Sequence, residues 1–301
     1  MTIGTRSGTA ATAIRAETPA PFRAALVQMC SGRHVERNLR DATLLVREAA
    51  QRGASYVQTP EVTTLMELDR ERLFDQCRRE EDDAALAHFR SLARELGIWL
   101  HIGSIAVKAS EQQLANRSFV IAPSGRIHAR YDKIHMFDVD LPGGESYKES
   151  RNYRPGSEAV VAGLPWGGLG LTVCYDLRFP YLHRALAKAG ATLIAIPAAF
   201  TRTTGEAHWH TLTRARAIES QCFVLAAAQG GRHEHGRETF GHSLIVDPWG
   251  EVLADGGTDP GVVVAEIDMA KVAEARGRVP SLTHDRDFEV RTVPAPDEVD
   301  S

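Results

Sequence analysis

The chain has 301 residues, of which 43% are hydrophobic and 25% charged, and carries a formal net charge of −4. This is the balance of an ordinary globular protein long enough to bury a substantial core, and it offers nothing to a nucleic-acid partner. No apolar run reaches the length of a membrane span. The cysteines Cys30, Cys77, Cys174 and Cys222 form no CxxC pair, which argues against a zinc or disulfide framework and for a reducing, cytoplasmic setting.

Residues 1–21 are rich in Thr, Ala and Arg but lack the apolar stretch of a secretory signal, and they read as a disordered tail. A single folded domain is expected over 22–290, with a polar tail over 291–301. The first strand is expected over 22–29. A helix follows over 35–51, with Leu39, Ala42, Val46 and Ala49 on one face and Gly53 at its end. A short strand over 55–58 stops at Thr59-Pro60. Helices are expected over 70–78 and 82–96, the second capped by Asp82 and closed by Gly97. An inner strand over 98–107 precedes a hairpin, 117–122 and 126–131, around Pro123-Ser124-Gly125. Residues 133–156 form a Gly- and charge-rich segment, and loops of that length in compact domains are functional or disordered. Strands over 159–162 and 168–173 follow, then a helix from Pro180 to Gly190. The remaining elements are a strand over 191–197, a helix over 206–220, a strand over 222–229, a hairpin of 241–246 and 251–254 around Asp247-Pro248-Trp249-Gly250, a strand over 261–267, and a short helix over 268–276 capped by Asp268. Strands alternating with helices, with hairpins mixed in, point to an α/β layered fold with mixed sheets. Neither GxGxxG nor GxxxxGK[ST] occurs, so a nucleotide cofactor has no support.

Cys174 stands at the end of an apolar strand and before a turn into the Pro180 helix. Such corners expose a nucleophile and aim backbone N–H groups at it, although a lone cysteine reads equally as a small buried hydrophobe. Three other residues could work with it. Glu61, after Pro60 at the end of the second strand, could accept the thiol proton and later activate water. Lys133, after Tyr131-Asp132, could stabilise an oxyanion. Glu149, in the long loop, could hold the lysine in register. Each taken alone reads equally as a solvated surface charge.

The joint pattern Pro60-Glu61, Tyr131-Asp132-Lys133-Ile134-His135-Met136-Phe137, Glu149-Ser150 and Val173-Cys174-Tyr175-Asp176-Leu177-Arg178-Phe179-Pro180 resembles the nitrilase superfamily of carbon–nitrogen hydrolases, over about residues 22–288. Ala207-His208-Trp209, residues 214–219 and 226–229, and Gly241-His242-Ser243 running on to Trp249-Gly250 are similar to the branch of the deaminated glutathione amidases and the neighbouring omega-amidases. The resemblance implies a four-layer αββα sandwich with two mixed β-sheets, dimerising through the helical layer. It implies Cys174 as nucleophile, Glu61 as general base, Lys133 as oxyanion stabiliser, Glu149 as supporting carboxylate, and no cofactor. The expected reaction is hydrolysis of the terminal carboxamide of a small acidic substrate to acid and ammonia through a thioester. The alternatives are an omega-amidase of α-keto acid amides, a nitrilase proper, and, from another class, a non-catalytic scaffold or a thiol redox sensor.

An acidic substrate needs cationic or N–H groups. Tyr175, Arg178, Phe200, Thr201, Thr204 and Trp209 are the expected substrate-binding residues, with Arg232 as a further candidate; Arg178 reads equally as a strut for the turn after Cys174. No metal site is expected, since His208 and His210 point to different faces of a helix and no convergent ligand set is apparent. In the helix over 206–220, Leu212, Ala215 and Ile218 are expected to form the apolar stripe, with Glu219 buried beside it or paired with Arg214 or Arg216. Cys30, Cys77 and Cys222 read as structural.

Overall fold

A computed structural model describes residues 19–141 and 144–294. Most of both expected tails, residues 1–18 and 295–301, lies outside the described residues.

Two six-stranded sheets form the centre. The first runs, edge to edge, Gly261–Ile267, Phe22–Gln28, Tyr56–Gln58, Trp99–Lys108, Leu114–Ile121, Ile127–Asp132; the second runs Val160–Leu164, Gly167–Leu171, Ala191–Ala195, Phe223–Ala226, Leu244–Val246, Val252–Asp255. Both sheets repeat one pattern in that order: an antiparallel pair, two parallel pairs, then two antiparallel pairs. Parallel strands need crossovers, and helices supply them.

Period-two alternation builds the layers. Ala24 and Leu26 enter the core between the sheets with Leu169, Leu193 and Leu225. Ala25 and Val27 face the other way, onto Ala42, Val46 and Phe89 of the helices Val35–Gln51 and Ala84–Leu96. On the outer face of the second sheet, Leu182 and Leu186 of the helix Pro180–Lys188 pack on Ala191. The result is the expected αββα sandwich.

Several local expectations are corrected. Asp82 sits in a 3-10 turn, and Asp83 caps the next helix by accepting from Leu86 N at 2.8 Å. Residues 133–156 hold an antiparallel ribbon, Asp138–Asp140 with Ser146–Lys148, and a 3-10 turn, Glu149–Arg151. The helix expected from 206 begins at Arg202, capped by Thr201. The last helix is Ala270–Arg278, and Asp268 accepts from its first N–H rather than standing at its cap. The buried residues of Arg202–Ser220 are Thr204, Gly205, Trp209, Thr213, Arg216, Ala217 and Ser220, while Ile218 is 50% exposed. A polar face can be buried there because Arg216 Nε donates to Leu177 O at 2.7 Å and its Nη1 pairs with Glu219 at 2.6 Å. Cys77 and Cys222 are buried, and burial pushes the Cys77 thiol up to about 12. Cys30 is exposed, so it is not a core residue.

Candidate active site

The site lies where central strands of both sheets end. Glu61 follows the parallel strand Tyr56–Gln58, and Cys174 follows Gly167–Leu171 in the facing sheet. Carboxyl ends of parallel strands are where α/β sheets place their clefts. Both corners are sharp: Val62, next to Glu61, has φ +50°, and Cys174 itself has φ +51°. A β-branched residue at positive φ is costly and persists only where its surroundings over-determine it. Here Ser104 does so, its Oγ accepting from Val62 N and its carbonyl from Thr63 N, both at 2.9 Å. Cys174 N donates to Pro197 O at 2.8 Å.

Lys133 leaves the strand Ile127–Asp132 and extends into the space between the two corners, where it is only 2% exposed. Its Nζ donates to Glu61 Oε1 at 2.8 Å and to Glu149 Oε1 and Oε2 at 3.0 and 2.9 Å. Asn116 Nδ2 bridges the same carboxylates, at 2.9 Å to Glu61 and 3.1 Å to Glu149. Backbone donors hold the outer oxygens: Ala199 N to Glu61 Oε2 at 3.0 Å and Phe137 N to Glu149 Oε2 at 2.7 Å. Glu61 and Cys174 face the same cavity, near enough for each to shift the proton affinity of the other.

The electrostatics follow from burial and charge. Burial alone would raise Glu61, but Lys133 outweighs it and holds the carboxyl below its ordinary value. Burial alone would lower Lys133, but Glu149 and Glu61 hold it well above its ordinary value. Burial, then Glu61, pushes the Cys174 thiol well above its ordinary value, against the pull of Lys133. At rest the group is an ionised Glu61, a charged Lys133 and a neutral thiol. A neutral thiol becomes nucleophilic as its proton leaves, and an ionised carboxylate in the same cavity is a group able to accept one.

Asp176 ties the corner to the lysine strand. Its buried carboxylate accepts from Val173 N at 2.8 Å, Tyr131 OH at 2.6 Å, and His135 N and Nδ1 at 3.1 and 2.6 Å. Tyr131 and His135 flank Lys133 by two residues on either side. An amide at this position turns one acceptor into a donor facing other donors. Asp176→Asn is therefore expected to destabilise the fold by about 2–4 kcal/mol, since buried charge-assisted bonds are lost and donors left unpaired. Urea unfolding checks this; an unchanged midpoint would show that the carboxylate does not brace the corner.

Glu61, Lys133, Glu149 and Cys174 line one cavity of about 610 Å³. Of the expected substrate-binding residues, Tyr175, Phe200 and Thr204 line it as well. Arg178, Thr201 and Trp209 are not among its walls. Arg178 lies over the Phe200 ring at 5.3 Å, Thr201 caps the helix Arg202–Ser220, and Trp209 packs behind Phe200 at 4.9 Å while donating to His242 O. Arg232 is exposed, whereas Arg237 lines the cavity. Asn116 and Arg237 were not singled out in the sequence: a polar residue in a strand reads as solvent-facing, and an arginine in a His-rich loop reads as surface charge. The histidines are corrected too. His210, His242 and Asp255 converge, with Asp255 Oδ2 2.9 Å from His210 Nε2 and Oδ1 2.9 Å from His242 Nδ1. The carboxylate shared by two imidazoles accounts for this cluster, which lies outside the cavity walls.

A carbon-nitrogen hydrolase family model matches residues 23–277. The chain is 40% identical over 265 residues to the deaminated glutathione amidase of Yersinia enterocolitica, covering 87% of this chain and 92% of that protein. It is 39% identical over 268 residues to the Homo sapiens protein of the same name, covering 87% and 81%. Among solved structures, the C. elegans NitFhit protein superposes with a TM-score of 0.83 at 36% identity, covering 90% of this chain and 66% of that one. A mutant of the amidase from Nesterenkonia sp. AN1, showing covalent addition of the acetamide moiety of fluoroacetamide at the active site cysteine, superposes with a TM-score of 0.73 at 26% identity, covering 86% and 96%. No helix among the described residues is long and apolar enough to cross a membrane. Motif order, layered fold, four converging side chains and a match over most of the chain agree: the protein belongs to the carbon–nitrogen hydrolase family, the nitrilase superfamily.

Proposed function

We propose that this amidase cleaves an amide of a small acidic substrate of the deaminated glutathione type, through a thioester on Cys174. The observation that carries the reading is the buried Lys133 ammonium bonded to both Glu61 and Glu149 in the cavity that Cys174 also lines. In this reading Glu61 takes the thiol proton as the sulfur attacks the carbonyl carbon. The oxyanion forms against Lys133 and the N–H of Tyr175, which lies in the first turn of the 3-10 helix Cys174–Arg178, where backbone donors lack partners within the helix. Glu61 returns the proton to the leaving nitrogen as the C–N bond breaks. It then takes a proton from water, whose oxygen attacks the thioester carbonyl, and returns that proton to the sulfur as the C–S bond breaks. Glu149 keeps Lys133 charged and in place.

The chemistry of deaminated glutathione refines the expected product. Glutathione has no primary carboxamide, and loss of its amino group creates none. Cleavage at the former γ-glutamyl bond releases the dipeptide Cys-Gly and a keto acid, so the release of ammonia belongs only to the smaller keto-acid amides. The names of the relatives favour the larger substrate over the omega-amidase alternative. A cavity of about 610 Å³ lies within the range of pockets that enclose small organic ligands. Four free thiols support a cytoplasmic setting, and Tyr181 and Ile218, 64% and 50% exposed on the outer helices, support pairing through that layer.

The test is kcat/KM for deaminated glutathione, read as Cys-Gly release, beside α-ketoglutaramate, read as ammonia. A preference for deaminated glutathione of at least about tenfold, roughly 1.4 kcal/mol, is expected. Preference for α-ketoglutaramate would move the protein to the omega-amidases, and no turnover of either would end the reading.

A further inference from the structure

We propose that Arg237 is the carboxylate anchor of the cavity. The inference rests on the acidic-substrate reading and names the group that holds the charge.

Arg237 ends the turn joining Gly230–Arg232 to Glu238–Phe240, closed by His233 N donating to Arg237 O at 2.9 Å. Arg237 lines the same cavity as Cys174. Nη2 donates to Ala199 O at 2.6 Å, and the N–H of Ala199 holds Glu61. The cation lies over the Tyr147 ring, 5.0 Å from its centre. These contacts fix the side chain and leave most of its hydrogen-bonding capacity unspent. Nη1 meets only the Met66 sulfur at 3.9 Å, and the buried Nε has no partner among the described residues. No carboxylate of the described residues pairs with it. The other cations of the wall differ: Lys148 pairs with Asp140, Arg70 donates to the carbonyls of Arg151 and Gln112, and Arg151 is exposed.

A half-buried guanidinium with unspent donors calls for an anion, and its planar fork fits a carboxylate. Its field reaches the reacting end, since it helps to lower Glu61. A deaminated glutathione-like substrate offers two such groups, the carboxylate of its keto-acid half and that of its leaving dipeptide. Arg178, the residue expected for this task, has its cation over the Phe200 ring.

The experiment compares wild type with Arg237→Gln and Arg237→Lys on four amides: deaminated glutathione, its analogue with the keto-acid carboxylate replaced by methyl, its analogue with the glycine carboxylate amidated, and α-ketoglutaramate. For Arg237→Gln, the kcat/KM ratio of deaminated glutathione to one of the two neutralised analogues should fall roughly 30- to 100-fold, mostly through KM, with partial recovery in Arg237→Lys. The analogue against which the ratio collapses identifies the carboxylate that is held. If Arg237 merely braces the Ala199 carbonyl, kcat falls alike for all four amides and the inference is overturned. If wild type cleaves the charged amides while both ratios stay within about threefold, the inference alone fails. If wild type cleaves none of them, the substrate reading fails and takes the inference with it.

Discussion

Cys174→Ala is expected to lower amide hydrolysis at least about 1,000-fold and to leave the fold intact. In the proposed mechanism Cys174 is the covalent nucleophile, and removing such a group from a set that acts as a unit costs orders of magnitude. Among the described residues the other thiols are unsuited to replace it: Cys77 and Cys222 are buried outside the cavity, and Cys30 is exposed elsewhere. Stability changes little by comparison. Alanine is no worse than cysteine at φ +51°, and a buried sulfhydryl is a small loss of packing. Two measurements check this. Steady-state kinetics should show the loss with KM-independent background only. Intact-mass analysis after fluoroacetamide treatment should show an added acetamide moiety in the wild type and none in the variant. A variant retaining more than a few per cent of wild-type turnover, with no bound contaminant to explain it, would remove Cys174 from the chemistry.

The parts of the fold legible in the sequence are those where one physical signal acts alone. The helix Val35–Gln51 has a strong 3.6-residue period, and Gly53 at φ +82° lies just beyond its end. Gly261–Ile267 is an apolar run between turn residues and needs no tertiary information. Legibility fails where side chains are satisfied by distant partners. Arg216 is buried because Leu177 O and Glu219 receive its donors, and no periodicity encodes those partners. The start of Arg202–Ser220 was missed because Thr-Thr-Gly reads as loop, whereas Thr201 serves as its cap. At the site, Glu61, Lys133, Glu149 and Cys174 come from four separate segments, and no local spacing brings them together. Family resemblance did that. Asn116 shows the remaining limit: a lone polar residue in a strand, its role appears only when Glu61 and Glu149 are found within 2.9 and 3.1 Å of one Nδ2.

Lys133→Met should abolish turnover and also reverse the pH dependence of local stability. With the ammonium gone, the buried Glu61 and the half-buried Glu149 remain side by side, still sharing Asn116 Nδ2. Breaking a buried ion pair from one side costs about 3–5 kcal/mol. The folded protein can relieve this by binding a proton on the carboxylate pair, which raises the pair's folded pKa above the unfolded carboxylate value of about 4.3. A raised folded pKa gives stability that is fully present below the unfolded value and lost as pH rises through the folded one. The deficit of the variant is thus largest at neutral pH and narrows toward pH 5. In the wild type the sign is opposite: Glu61 is held below its ordinary value, so its contribution persists at neutral pH and is lost only as pH falls through the acid range. Urea midpoints of both proteins at several pH values between about 5 and 8 test this directly. Lys133→Met combined with Glu149→Gln should recover much of the midpoint at neutral pH and none of the activity, because it removes the repulsion without restoring the cation. If Lys133→Met has a wild-type midpoint with no convergence toward acid, the lysine does not balance the two carboxylates. If the double variant regains activity, the cation is not what holds the oxyanion.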